Sequence, residues 1–157
     1  QGSETTLSSK MAATFDSLPS FLASLHPTTI HAPSRASVIY RVTKENCMYR
    51  SETEHIYLLP FRPDTRWTHY KVALHSVAGH AQRIPFIEFG EYNEGDAASG
   101  EPPGASVRLL EHVTEPNVDW KALCCFQQQG MLMRIAIPST VYSDACSAMI
   151  LLRGYHV

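Results

Sequence analysis

The sequence predicts an all-β domain, and three observations support this prediction. Residues 70–77 alternate apolar and polar side chains with a period of two, which is typical of a strand with one buried face. Two apolar runs, 131–137 and 147–157, flank a short polar connection, and we expect them to pair as a β-hairpin. Because no long helical pattern is present, about eight or nine short strands should form an antiparallel β-sandwich, a jelly-roll-like fold or a small barrel.

Turn-forming residues divide the rest of the chain into further short apolar segments. In the predicted hairpin, alternation indicates that Met131 and Met133 face the core from the first strand. The same alternation predicts a core position for Met149 and Leu151 in the second strand. The remaining predicted strands are 38–42, 47–50, 55–59, 84–89, 107–113 and 118–126.

Residues 1–35 differ from the rest because they are rich in Ser, Thr, Ala and Pro. Residues 1–3 have the composition of an expression-tag remnant, and we interpret the rest of 1–35 as a linker-like arm. Apolar residues at 18, 21, 22 and 25 have helical spacing, with Ser17 as a candidate N-cap and Pro19 in the first turn. We therefore expect an arm with one short helix, followed by a single all-β domain at 36–157.

Composition argues against several classes of protein. The 157-residue chain has a formal net charge of −2 and only 13 Lys and Arg, so we expect no binding to nucleic acid. Its apolar runs are shorter than the roughly 18 residues of a membrane span. The spacing of the four cysteines fits no zinc motif, so we expect buried free thiols. Free thiols indicate a reducing compartment, which would be the cytoplasm if the protein is not viral. We expect no cofactor. The cysteines are Cys47, Cys124, Cys125 and Cys146.

Histidines are the residues from which a metal site or an active site would be built. His69 and His75 share a face if they lie on one strand, but at ~3.3 Å per residue they are about 20 Å apart, too far to bind one ion. A small hydrolase using His75 or His80 with Asp96 is an alternative function. Ser76, the hydroxyl nearest to His75, would point to the opposite face of a strand, and the chain has no G-x-S-x-G motif. We therefore expect neither a catalytic residue nor a metal.

The longest predicted loop spans 90–104 and is rich in Gly, Pro and acidic residues. Glu91, Glu94 and Asp96 are the candidates for a Ca²⁺ site, but their spacing matches no EF-hand, and a solvated loop is the simpler interpretation. Loops on a rigid β domain often carry its binding residues. We predict that the binding surface consists of Tyr92, Asn93, Glu94, Asp96 and Ser99, with Tyr142, Ser143 and Asp144 in a second loop.

Most aromatic side chains of an all-β domain fill its core, and we expect this of the two tryptophans. Exposed, coplanar Trp67 or Trp120 would instead indicate a carbohydrate-binding or small-ligand-binding module, which is a second alternative function. Burial of both indoles would exclude that alternative.

The overall organisation resembles the β-domain of a capsid protein from a small non-enveloped RNA virus. A Ser/Thr/Pro-rich linker leads into an all-β module with long polar loops, and the chain ends with its last strand through 149–155. Since residues 1–35 contain no strongly basic arm, the resemblance favours an isolated protruding, spike-like domain. It implies a non-catalytic module on the virion surface that pairs with other copies as a dimer or trimer and attaches to a host receptor.

Overall fold

The computed structural model describes residues 12–75, 87–93, 109–113, 120–123, 131–144 and 147–157. Within these ranges strands predominate and the two helices are short, which confirms the predicted all-β class. The elements are β1 Ala12–Ala13, α1 Leu18–Ala23, β2 Thr28–His31, β3 Ala36–Val42, β4 Tyr49–Arg50, β5 Glu54–Pro60, β6 Thr65–His75, β7 Ile87–Asn93, β8 Leu109–Val113, β9 Lys121–Ala122, β10 Met131–Pro138, α2 Val141–Asp144 and β11 Ser147–His156.

The strands form two antiparallel sheets in a sandwich-like arrangement. The first sheet has the order β1-β4-β5-β10-β7-β8, and the second has the order β2-β3-β11-β6-β9. Four of the pairs are nested along the chain: β3 with β11, β5 with β10, β6 with β9, and β7 with β8. The pairs β10–β7 and β11–β6 join these nested pairs side by side. Along the chain, β3, β5, β6 and β7 are therefore each paired with one of the four later strands β8 to β11, which follow in reverse order.

The predicted terminal hairpin is wrong, although both of its strands exist. β10 lies between β5 and β7 in the first sheet, while β11 lies between β3 and β6 in the second. The connection that contains α2 thus crosses from one sheet to the other. Each strand has a neighbour on both sides, and an apolar run indicates a buried strand without indicating its partner.

The predicted facing of β11 is also wrong. Met149 and Leu151 are half-buried on the outward face of the second sheet, and Ile150 between them is fully buried in the core. In β10 the prediction for Met133 is confirmed, since this side chain is fully buried, whereas the side chain of Met131 lies outside the described residues. Where both faces of a strand are apolar, a period of two cannot show which face is the inner one.

The described part of the predicted arm is packed into the domain: its helix contributes to the core and its two strands pair with strands of the two sheets. Helix α1 begins as predicted, with the Ser17 hydroxyl accepting from the Ser20 backbone N–H at 3.2 Å and Pro19 in the first turn. Phe21 is fully buried in the same hydrophobic cluster as the core strands. β1 pairs with β4, and β2 pairs with β3 across the predicted boundary at residue 35.

Strand positions are predicted best where apolar residues dominate. The predicted segments 38–42 and 55–59 lie inside β3 and β5. β6 starts at Thr65, five residues before the predicted strand at 70–77. The sequence did not predict its first half because that half consists mostly of polar residues. None of the helices in the described residues is long and apolar enough to cross a membrane.

Candidate functional site

The predicted binding residues of the 90–104 loop begin inside a strand. Tyr92 and Asn93 end β7, where they pair with Leu132 and Met131 of β10. The backbone at these two positions is therefore fixed by the sheet, and their side chains lie outside the described residues. The other predicted residues of this loop, Glu94, Asp96 and Ser99, also lie outside them, as does the side chain of the Ca²⁺ candidate Glu91.

The second predicted loop contains a short helix, and its tyrosine makes internal contacts. Tyr142 lies in α2, half-buried, with its hydroxyl 2.5 Å from the hydroxyl of Tyr57. Its ring packs edge-on against His55, with 5.0 Å between the ring centroids. Tyr142 is therefore not a freely exposed loop side chain, and its role in binding stays a prediction. Ser143 and Asp144 complete α2, and their side chains lie outside the described residues.

Tyr57 is the centre of a buried hydroxyl cluster that joins three segments of the chain. Its O–H donates to the Thr43 carbonyl, so its oxygen accepts from the O–H of Tyr142. Burial raises the pKa of both phenols, which keeps them neutral donors. The cluster holds the segment after β3 and helix α2 against β5.

We expect Tyr57→Phe to lower the free energy of unfolding by about 1–3 kcal/mol, because it leaves two half-buried groups, the Thr43 carbonyl and the Tyr142 hydroxyl, without their partner. Tyr142→Phe is the matched control: it removes the same atom but leaves the bond from Tyr57 to Thr43 intact, so its cost should be smaller. Urea unfolding of the two variants measures the difference. Equal losses would contradict the proposed direction of the hydrogen bonds.

The residues of the hydrolase alternative, the His75 and His80 side chains and Asp96, lie outside the described residues. The structure instead forms a serine–histidine pair that the sequence did not indicate, with Ser139 Oγ 2.9 Å from His55 Nδ1. In the described ranges no hydrogen bond joins His55 to a carboxylate, so the orienting third group of a catalytic triad is missing there. The Ser139 backbone N–H also donates to the Thr53 carbonyl at 3.0 Å, and the pair fastens the end of β10 to the start of β5.

His55 makes stability depend on pH. Its side chain is buried, and burial, with a smaller contribution from Arg50, lowers its pKa below the ordinary value. Below about pH 6.5 the unfolded chain therefore binds a proton that the folded chain resists, and unfolding becomes easier as pH falls. We expect His55→Gln to flatten the decline in unfolding free energy between pH 7 and 5, measured by urea unfolding. Identical slopes in the variant and the original protein would contradict this role.

The second sheet is basic. Within their bounds its five strands contain no Asp or Glu and five Lys or Arg residues. The chain has 13 Lys and Arg in all, so eight remain for the rest of the sequence, which holds all 15 Asp and Glu. The net charge of −2 thus hides a strong separation of charge. The five residues are Arg41, Arg66, Lys71, Lys121 and Arg153.

A cavity of about 430 Å³ opens on this sheet, and we call it the sheet cavity. Strand register explains how distant residues meet there, because Arg153 is paired with Ser37 on one side and with His69 on the other. Directly paired residues share a face of the sheet. The lining residues are Arg35, Ser37, Thr68, His69, Trp120, Arg153 and Gly154.

Three side chains that line the cavity, those of Arg153, Thr68 and His69, are oriented by contacts with neighbouring groups. The guanidinium carbon of Arg153 lies 4.6 Å from the centroid of the Trp120 ring, in a cation–π contact. The Thr68 hydroxyl donates to the Arg153 carbonyl at 3.2 Å, so its oxygen accepts from His69 Nδ1–H at 2.9 Å. A register shift between Arg153 and Gly154, of the kind made by a β-bulge, lies at the same point.

The two tryptophans have different surroundings. Trp67 is 1% exposed and belongs to the core, as predicted, and it cannot form part of a carbohydrate platform. Trp120 is half-buried and lines the sheet cavity under Arg153. The sequence did not indicate this site, because its residues come from four separate segments and only the strand register brings them together.

Cys47 is a buried free thiol, as predicted, and burial raises its pKa. The other three cysteines lie outside the described residues. In the described part of the chain no group of three His, Cys, Asp or Glu side chains is placed to hold a metal ion. Comparison with protein-family models, with curated proteins and with solved structures finds no match for this chain.

Proposed function

We propose that this chain is a non-catalytic structural module of the capsid type, which associates with other copies of itself and presents attachment loops. The observation that supports it is the nested pairing of β3 with β11, β5 with β10, β6 with β9 and β7 with β8. A long hairpin rolled up in this way is a jelly roll, the fold of many viral capsid domains. Lectin domains and cupins share this fold, so function must be argued from surfaces.

The edge of the second sheet supports self-association. Among the strands that the structure describes, β2 is the last of this sheet on that side, and Ile30 on it is 54% exposed. An exposed edge strand with an apolar side chain is a template for pairing with another chain. Tyr155 near the end of β11 and Val157 after it are also large exposed apolar residues. Contacts between copies would remove these surfaces from water.

Solution mass tests the self-association. Light scattering after size exclusion should show a dimer or trimer of the original protein, with larger particles in electron micrographs at high concentration. Ile30→Lys should shift the protein to the monomer, because a charge on the edge opposes strand pairing. Ala23→Lys places the same charge on the exposed end of α1 and should leave assembly unchanged. A monomeric original protein at every concentration would contradict the proposal.

Host attachment is proposed for the predicted loop surface that follows β7. A deletion should span 94–101, since Asn93 pairs with Met131 and its removal would shorten the sheet. We expect this deletion to abolish binding of the fluorescently labelled protein to cultured cells while the thermal unfolding midpoint stays within a few degrees. Unchanged cell binding, or loss of the fold, would contradict the assignment.

A further inference from the structure

We propose that the sheet cavity is a binding site for a phosphate monoester, such as the phosphate group of a mononucleotide. The inference is independent of self-association, because every lining residue belongs to one copy of the chain. Arg35 and Arg153 supply two permanent positive charges at its wall, and none of the Asp or Glu side chains that the structure describes lines it. In the described residues the salt bridges are Arg62–Asp64 and Arg134–Glu54, so neither of these arginines is neutralised by a carboxylate there.

The charge of the wall favours phosphate over carboxylate. A phosphate monoester carries about −1.5 to −2 charges at pH 7 and offers three acceptor oxygens, which matches two guanidinium groups. A single carboxylate brings one charge and two oxygens and leaves one arginine uncompensated. The Ser37 hydroxyl adds a neutral hydrogen-bond donor to the same wall, whereas the protons of the Thr68 hydroxyl and of His69 Nδ1 are used in the bonds that orient the wall.

The guanidinium of Arg153 is preorganised for anion binding by its contact with Trp120. The guanidinium carbon lies over the Trp120 ring, 4.6 Å from the ring centroid, and this contact restricts the guanidinium group. A guanidinium that is restricted in this way loses less entropy when it binds the two oxygens of a phosphate. A register shift lies beside it, between Arg153 and Gly154, and bulges are common next to active sites, where they redirect side chains.

The volume of the cavity indicates a ligand larger than a bare ion. About 430 Å³ lies within the range of small-molecule sites, which bind an organic group together with its charged part. Trp120 offers an apolar surface to such a group, and its contact with Arg153 places the apolar and the basic wall side by side. A small phosphorylated metabolite or mononucleotide fits both walls.

Isothermal titration of the full chain with adenosine monophosphate tests the proposal. Inorganic phosphate, acetate and a 12-nucleotide single strand without terminal phosphates are the comparison ligands. We expect adenosine monophosphate to bind at least tenfold more tightly than acetate, which carries a single carboxylate, and to change the fluorescence of Trp120, since Trp67 is buried. Binding of the single strand without binding of the monophosphate would overturn the proposal in favour of a nucleic-acid backbone.

Matched arginine variants locate the site. R153Q and R35Q should each weaken monophosphate binding at least tenfold, and R153K should weaken it less, because it keeps the charge but loses the planar fork. R41Q is the control: it removes the same charge from the same sheet, where Arg41 contacts Met149 outside the cavity. Equal weakening by R41Q, or no binding of any phosphate to the original protein, would overturn the assignment. Unchanged thermal unfolding midpoints show that the variants are folded.

Discussion

Gly154→Ala should destabilise the domain by about 4 kcal/mol or more, a loss that few single substitutions reach. A Cβ atom at this position would lie 1.8 Å from the Arg66 carbonyl oxygen and 2.8 Å from the Cα of Trp67. Both are backbone atoms of β6, which is paired with β11 at this point and cannot rotate away. Relief of the clash requires separation of two central strands of the second sheet, and the buried Trp67 would be displaced with them.

Urea unfolding followed by circular dichroism measures this effect. Since domains of this size are stable by about 5–15 kcal/mol, we expect Gly154→Ala to be largely unfolded or to unfold at much lower urea. Arg153→Gln at the neighbouring position is the control, because it changes a half-buried polar residue and introduces no clash. An unfolding midpoint for Gly154→Ala equal to that of the control would contradict the close approach of the two backbones.

The sequence predicts individual strands well and their partners poorly. Segments 38–42 and 55–59 are apolar and β-branched or aromatic, and each lies inside an observed strand. The error at β10 and β11 has a different origin, because nearness along the chain favoured a hairpin whereas the fold places these strands in different sheets. Both faces of β10 are buried, and the groups that cover each face come from segments that meet only in the folded chain.

The net charge of the whole chain gave no indication of the candidate site, because it sums basic and acidic residues that lie in different parts of the fold. The net charge of −2 argued against binding to nucleic acid, yet basic residues concentrate on the second sheet while every Asp and Glu lies outside its strands. A count of charge in each strand reveals this separation only once the pairing shows which strands share a sheet. The sheet cavity needs more than such a count, because the pairing of Arg153 with Ser37 and His69 depends on register and on the shift beside Gly154.

Phe21→Ala should lower the free energy of unfolding by about 3–5 kcal/mol, the usual cost of emptying a large buried aromatic site. The side chain is 0% exposed, and its ring meets the edge of Phe15 with the centroids 5.5 Å apart. Its helix, α1, lies within residues 1–35, for which the sequence predicted a linker-like arm with one short helix. A linker residue would cost almost nothing on truncation, so the size of the loss distinguishes the two descriptions.

The matched control for Phe21→Ala is Leu22→Ala on the same helix. Leu22 is only half-buried against the core, so its truncation should cost much less, about 1 kcal/mol by the area it removes from contact. Both changes replace an apolar residue with alanine, the best helix former, so helix propensity does not explain a difference between them. Urea unfolding measures the loss of unfolding free energy in each variant. A loss for Phe21→Ala as small as that expected for Leu22→Ala would contradict the place of α1 in the core. A large loss at Phe21 alone makes α1 part of the cooperative unit that contains both sheets.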